Sequence, residues 1–396
     1  MARKYVVLRS LRAPADLTRG AGLSPSGVAV GTAPPLTSVG VEVLDPRSAA
    51  RARTEPDFEC AAPSMPLKLI APFQAADAPA PVVNGMAWGI RAVGADSSPF
   101  DGSGVVVAVL DTGIDATHPA FAGVELVQKD FTGDGNGDEN GHGTHCAGTI
   151  FGRDVNGTRI GVARGVTKAL IGKVIGRNGG ASEHIASAIQ WAIENGANVI
   201  SMSLGIDFPG YQAALQAEGL KAEPATSIAL EGYRLNVQLF DRLAGLVSAM
   251  AVFRQPCLLV AASGNESGRD QVPAFAIAAS PPAVSEGFIA VAALQEGTGG
   301  HRVATFSNTG VAISAPGVAV VSAQAGGGLV AFSGTSMATP HVAGVAALWA
   351  QKLKADGSFG VRQFTTNVLA SAVRTPLDPA SEVDAVGAGI VQAPQH

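Results

Sequence analysis

Five apolar runs set the frame of the chain: "GVVVAVLD" (104–111), "KALIGKVI" (168–175), "NVISMSLG" (198–205), "CLLVAASGN" (257–265) and "FIAVAAL" (288–294). They are continuous rather than alternating, so each predicts a strand buried on both faces. The stretches between them carry helical periods. In "EHIASAIQWAIENG", Ile185, Ala188, Ile189, Ala192 and Ile193 share one helical face, and Gly196 ends the helix. Such strands alternating with helices predict an α/β fold with a mostly parallel central sheet.

The pattern is different before residue 88. Residues 1–70 are rich in Arg, Pro and Ala, with short strand-like pieces "KYVVLR", "VGVEVLD" and "MPLKLI", and predict a small N-terminal lobe. Within it, "RAPADLTRGAGLSPSGVAVGTAPPLTS" carries too much Gly and Pro for compact structure. Residues 71–87 alternate Ala and Pro and are expected to form an extended linker, so the main domain spans 88–396. Residues 206–255 are expected to be an insertion, a loop followed by a long helix from about Thr226.

Composition narrows the partners. A net charge of −5 with no basic stripe excludes a nucleic-acid footprint. No apolar run reaches the length of a membrane span, and the start "MARKYVVLRSLRAPADL" shows no signal peptide. The expectation is therefore a cytoplasmic location, or export by a non-classical route. Cys60, Cys146 and Cys257 are too scattered for a disulfide framework and are expected to be free thiols.

Candidate chemistry lies where parallel strands end. Asp111 closes "VVVAVL", and His142 in "ENGHGTHCAG" begins a glycine-lined helix. Ser336 in "SGTSMATPHVAG" sits in the first turn of another helix, where unpaired N–H groups and the helix dipole favour developing negative charge. A serine becomes nucleophilic when a histidine takes its proton, and the histidine needs a carboxylate to fix its tautomer. Asn265 in "AASGNES" adds a side-chain amide at a strand end, suited to an oxyanion.

In this order, "VLDTGID", "NGHGTHCAGT", "ASGNES" and "GTSMATPHVAG" resemble the subtilisin-like serine proteases, the subtilases. The resemblance implies a three-layer α/β endopeptidase that acts through an acyl-enzyme, with Asp111, His142 and Ser336 as triad and Asn265 as oxyanion donor. It implies no cofactor for catalysis. It also implies a protein or peptide substrate bound as a strand between "NGGAS" (Gly179, Gly180) and "SLGI" (Ser203, Leu204, Gly205), with Ala262, Ser263 and Gly264 lining the first pocket. The N-terminal lobe stands where the family has a propeptide, an intramolecular inhibitor removed by self-cleavage between about residues 70 and 90, and a retained accessory lobe is the alternative.

Rival readings are weaker. An aspartic protease needs a second Asp-Ser/Thr-Gly, which is missing, and an α/β-hydrolase places its acid and histidine after the serine. His142 and His145 lack the glutamate and third ligand of a zinc site. His341 diverges from Ser336 around their helix, and His118, His184, His301 and His396 have no motif around them. Cys146, one turn after His142, should lie beneath the imidazole, so a mercurial attached there should block activity. For structural calcium, Asp134, Asn136 and Asp138 before the histidine helix, and Asp154 and Asn156 after it, offer hard oxygen donors. A silent peptide-binding protein on the same scaffold and a dedicated peptide-processing protease are the alternatives.

Overall fold

In the computed structural model, residues 2–11, 36–70, 85–297 and 299–396 are described. The N-terminal lobe contains β1 (Arg3–Leu11), β2 (Leu36–Leu44), helix α1 (Pro46–Ala52), β3 (Phe58–Pro63) and β4 (Pro66–Leu69). The first three strands form an antiparallel sheet in the order β2-β1-β3. Asp45 starts α1 by accepting the Ser48 N–H at 2.7 Å. The three strand-like pieces expected from sequence are β1, β2 and β4, whereas β3 and α1 carried no clear pattern. Most of the Gly/Pro-rich stretch (12–35) and of the expected linker (71–84) lies outside the described residues.

The lobe has little core of its own. Its inward residues Val6, Leu8, Cys60, Ala62 and Met65 belong to the same apolar cluster as Ile185, Ile189, Leu239 and Leu243 of the main domain.

After α2 (Trp88–Ala92) come β5 (Val106–Asp111), β6 (Glu125–Asp130), α3 (His142–Phe151) and β7 (Lys168–Lys173). Two short strands, β8 (Ile175–Gly176) and β9 (Gly179–Ala181), precede α4 (Ser182–Glu194), β10 (Val199–Met202) and β11 (Leu204–Ile206). The segment expected to be an insertion follows as α5 (Phe208–Ala217) and α6 (Ala222–Met250). The chain continues through β12 (Leu258–Ala262), β13 (Phe288–Gln295), β14 (Arg302–Val303), β15 (Ile313–Pro316) and the hairpin β16 (Val320–Ala323) and β17 (Leu329–Phe332). Helices α7 (Thr335–Ala355), α8 (Val361–Ala370) and α9 (Val383–Val386) complete it. None of the described helices is long and apolar enough to cross a membrane.

The central sheet runs β14-β13-β12-β10-β5-β7-β6, with β15 also beside β13, and every pairing except β13–β14 is parallel. Alternate residues of one strand enter two different cores. Val107 and Val109 of β5 pack with α3 and α7, while Ala108 and Leu110 pack with α4 and α6. That division is why the strand sequences are continuously apolar. The edge strand β6 is only partly covered, so "ELVQKD" shows no apolar run and escaped the sequence reading.

The expected loop at the start of the insertion is instead α5, which Asp207 caps by accepting the Gly210 N–H at 3.1 Å. Helix α6 starts four residues before Thr226, because Pro224 is tolerated in a first turn that has no helical N–H bonds to lose. Its buried positions keep helical spacing: Ala225 and Ala229 pack on Leu215 of α5, while Gly232, Leu235, Leu239, Leu243 and Val247 face the lobe and α4.

Candidate active site

The parallel sheet brings the ends of β5, β10 and β12 side by side, which sets Asp111, Ser203 and Asn265 along one rim. Asp111 Oδ1 accepts from the Thr112 N–H at 2.8 Å and from His142 Nδ1 at 2.7 Å, and both side chains are 1% exposed. Burial alone would hold the imidazole pKa down, but the neighbouring Asp111 carboxylate outweighs it and raises His142 well above 6.5. The bond at Nδ1 leaves Nε2 as the proton-accepting nitrogen.

His142 is placed by its helix start. Gly141, at φ 89°, offers no capping side chain, so the cap comes from Asp138. Its Oδ1 accepts from Thr112 Oγ1 (2.9 Å), Asn140 N (3.1 Å) and Gly141 N (2.8 Å), and its Oδ2 from Thr144 N (2.8 Å) and Thr144 Oγ1 (2.6 Å). One carboxylate thus ties the residue after Asp111 to the helix that begins with His142. Gly143 permits the approach: a Cβ there would lie 2.2 Å from the Gly113 carbonyl oxygen.

Ser336 is the second residue of α7 and fully buried. Pro340 lacks the N–H that would bond the Ser336 carbonyl four residues back, so that oxygen is free to accept elsewhere. It takes the Ser203 hydroxyl at 3.0 Å and the Cys146 thiol at 3.4 Å. The Ser336 hydroxyl itself donates to the carbonyl oxygens of Ile70 (3.0 Å) and Ser203 (3.3 Å). It is not bonded to His142, whose Nε2 has no hydrogen-bond partner among the described residues. Asn265 Oδ1 accepts from Thr335 N and Thr335 Oγ1, both at 2.9 Å, which orients the amide at the start of α7. A Cβ on Gly334 would come within 3.0 Å of its Nδ2.

The chain that builds this rim resembles known sequences. A model of the subtilase family matches residues 102–389. The chain belongs to the subtilase family of serine proteases. It is 38% identical over 270 residues to a thermostable alkaline protease of Halalkalibacterium halodurans, covering 66% of this chain and 62% of that protein. It is 35% identical over 316 residues to subtilisin BL of Lederbergia lenta, covering 77% of this chain and 96% of the relative. With alkaline elastase YaB of Bacillus sp. (strain YaB) it shares 36% over 298 residues, covering 74% and 67% respectively.

In this subtilase the two segments expected to hold a substrate strand already hold one. β4 of the N-terminal lobe lies between β9 and β11, antiparallel to both: Leu67 pairs with Gly180 and Ile206, Lys68 with Gly205, and Leu69 with Leu204. Leu67 is 6% exposed, its Cδ1 3.2 Å from where a Cβ on Gly180 would stand. The Ile70 Cδ1 lies 3.9 Å from the Cβ position of Gly205, and the Ser280 hydroxyl 2.6 Å from it. Ser280 therefore packs against Gly205, a contact no local motif signals. Of the other expected lining residues, Gly264 donates its N–H to Thr335 Oγ1 at 3.2 Å, and the Ser263 carbonyl accepts from Asn308 Nδ2 at 3.1 Å. Ala262 is the buried end of β12, and Gly179 turns at φ 84°.

The calcium expectation meets donors already engaged. Both Asp138 oxygens are taken by the helix cap described above. Asp134 accepts from Arg177 N at 2.7 Å, and Asp154 pairs with Arg164 at 3.6 Å. Asn156 stands in a turn at φ 50°. Asn136 and Asp138 line one cleft together with Asp115 and Gln128, whereas Asp134 and Asp154 are engaged elsewhere. Among the described residues, the His, Cys and acidic side chains with three ligand atoms within 4.8 Å of one another are Asp111, His142 and Cys146. These belong to the site itself.

Four other histidines are held by backbone carbonyls. His145 bonds the Val320 carbonyl at 3.0 Å and stacks on Phe332, and its burial lowers the pKa to about 3. His341 bonds the Met337 carbonyl at 2.8 Å, and burial lowers it to about 4. His118 is buried and contacts the Gly328 carbonyl at 2.9 Å, while His184 contacts that of Val174 at 3.1 Å. Cys60, Cys146 and Cys257 are all free and buried.

Proposed function

We propose that this subtilase is a serine endopeptidase held latent by its own N-terminal lobe. The Ser336 hydroxyl attacks the carbonyl carbon of the scissile peptide while His142 Nε2 takes its proton, and Asp111 stabilises the imidazolium that forms. The Asn265 amide and the Ser336 N–H at the start of α7 hold the oxyanion. The C–N bond breaks as His142 returns the proton to the leaving amine, and water then hydrolyses the acyl-enzyme by the same path in reverse. The supporting observation is the 3.0 Å contact between the Ser336 hydroxyl and the Ile70 carbonyl oxygen, at the end of a strand paired with both substrate-binding segments.

The lobe is the site's first substrate, cut at Ile70–Ala71, and remains an inhibitor while β4 stays paired. Its docking favours that role. The Met65 carbonyl accepts the Ser182 N–H at 2.9 Å, Asn236 Nδ2 donates to the Pro63 carbonyl at 2.9 Å, and Arg3 donates to the Tyr211 hydroxyl at 3.0 Å. The insertion thus grips the lobe through α5 and α6. With the cleft filled, the hydroxyl bonds Ile70 rather than His142.

A fluorophosphonate probe tests the reading. After incubation that lets the lobe leave, the enzyme labels at Ser336 and hydrolyses peptides. A protein that binds peptides but neither labels nor hydrolyses them is the silent binder, and the proposal fails.

A further inference from the structure

Lys68 pairs with Gly205, and the Cδ1 of Ile70, the residue after β4, lies 3.9 Å from the Cβ position of that same glycine, as expected for residues two apart on an extended segment. Ile70 is 2% exposed. The Lys68 Nζ lies 3.0 Å from Glu266 Oε1.

Glu266 is not a loosely placed surface acid. Its Oε2 accepts from Asn308 Nδ2 at 2.7 Å, and its own N–H donates to Asn308 Oδ1 at 3.1 Å. Asn308 is 1% exposed and also holds the Ser263 carbonyl and the Ser267 N–H, so it anchors the carboxylate to the strand-end loop that carries Asn265. The backbone makes room for this arrangement: Gly264 sits at φ 117°, and a Cβ there would stand 2.4 Å from Glu266 Oε2 and 2.3 Å from Asn308 Nδ2. A carboxylate fixed before substrate arrives loses less side-chain freedom on forming an ion pair than a mobile one does.

We infer that Glu266 is a specificity-determining residue that selects a cationic side chain at the third position before the scissile bond, the place Lys68 occupies. The inference rests on the endopeptidase reading and adds a preferred substrate class: chains with a cation at that place, an apolar residue next to the cut, and another in the position of Leu67. Lys68 is 47% exposed and Glu266 37%, so the preference is modest and salt-sensitive.

The test uses the active enzyme and fluorogenic peptides of sequence Leu-X-Leu-Ile, with X as Lys, Gln or Glu, and reads the ratio of kcat/KM within each enzyme. Wild type is expected to favour Lys over Gln by about two- to fivefold and to disfavour Glu, the contrast shrinking as salt is raised. In Glu266→Gln the Lys-to-Gln ratio falls to about one, and in Glu266→Lys the order inverts. Equal rates for the three peptides with wild type would overturn the inference. So would a ratio that survives in Glu266→Gln, or a lysine gain found only when Lys replaces the residue beside the cut. If no peptide is hydrolysed and Ser336 does not label, the endopeptidase reading itself fails, which is a separate outcome.

Discussion

The Ser336 hydroxyl lies 3.0 Å from the Ile70 carbonyl oxygen, so residues 266 positions apart in sequence meet just past the end of β4. The hydroxyl is bonded to a segment of its own chain and not to His142. On the proposed reading, activity depends on two separable things, the relay itself and the removal of β4.

Asn265 is the proposed oxyanion donor and also holds the start of α7. If it holds the oxyanion, replacing it with Ala is expected to lower turnover by about 10² to 10³, a magnitude carried over from the corresponding asparagine of subtilisin. From sequence alone this change is expected to have little effect on folding, but Oδ1 also receives the N–H and hydroxyl of Thr335 at the start of α7. A loss of about 1–3 kcal/mol should accompany the rate effect. Rapid kinetics on the folded variant and a denaturant melt separate the two, and unchanged turnover would remove Asn265 from the oxyanion site.

Asp138 should behave as a cap that positions His142. Asp138→Ala leaves the Gly141 and Thr144 N–H groups without their acceptor and is expected to cost about 1–2 kcal/mol of stability. It should also lower kcat, because His142 begins the helix that loses its anchor. Thermal melting and steady-state kinetics check both effects. A variant with wild-type Tm and rate would contradict the assignment.

The pH dependence follows from His142. Only the neutral imidazole can take the serine proton, and Asp111 favours the cation, so the acid limb of kcat/KM should turn at a pH above 6.5. Asp111→Asn should shift that limb downward while lowering the rate. For stability the sign is opposite. The imidazolium–carboxylate pair contributes fully below about 6.5 and is lost as pH rises through the raised folded value. A limb at or below 6.5 in the wild type would show that Asp111 does not dominate.

Cys146 gives a chemical handle. Its Sγ lies 3.9 Å from His142 Nδ1 and 3.4 Å from the Ser336 carbonyl, and burial raises its thiol pKa, so it reacts slowly and is no nucleophile. A mercurial that does reach it should abolish activity, and Cys146→Ser should resist while Cys60→Ser and Cys257→Ser remain sensitive. Full activity after modification confirmed at Cys146 by mass spectrometry would refute this.

The sequence made legible whatever one strand or one helix turn decides. The five continuous apolar runs became central strands because each feeds two cores, and Asp111, His142, Asn265 and Ser336 sit at strand or helix ends that local chemistry marks. Features made by distant segments stayed hidden. "TGDGNGDENG" reads as a collection of oxygen donors, yet Asp138 serves as a helix cap, which only the fold of the loop reveals. Glu266 looks like any surface acid until Asn308, 42 residues later, is seen to fix it. β4 carries a readable strand pattern, but nothing in "MPLKLI" says that its partners are β9 and β11.

The most direct measurement is the mass of the fragments formed as freshly folded full-length chain is incubated and quenched. Wild type should yield a product ending at Ile70, and Ser336→Ala should stay whole under the same conditions. A chain cut equally in both forms, or one processed elsewhere while the Ile70–Ala71 bond persists, would contradict the claim that Ser336 attacks the peptide bond that β4 presents.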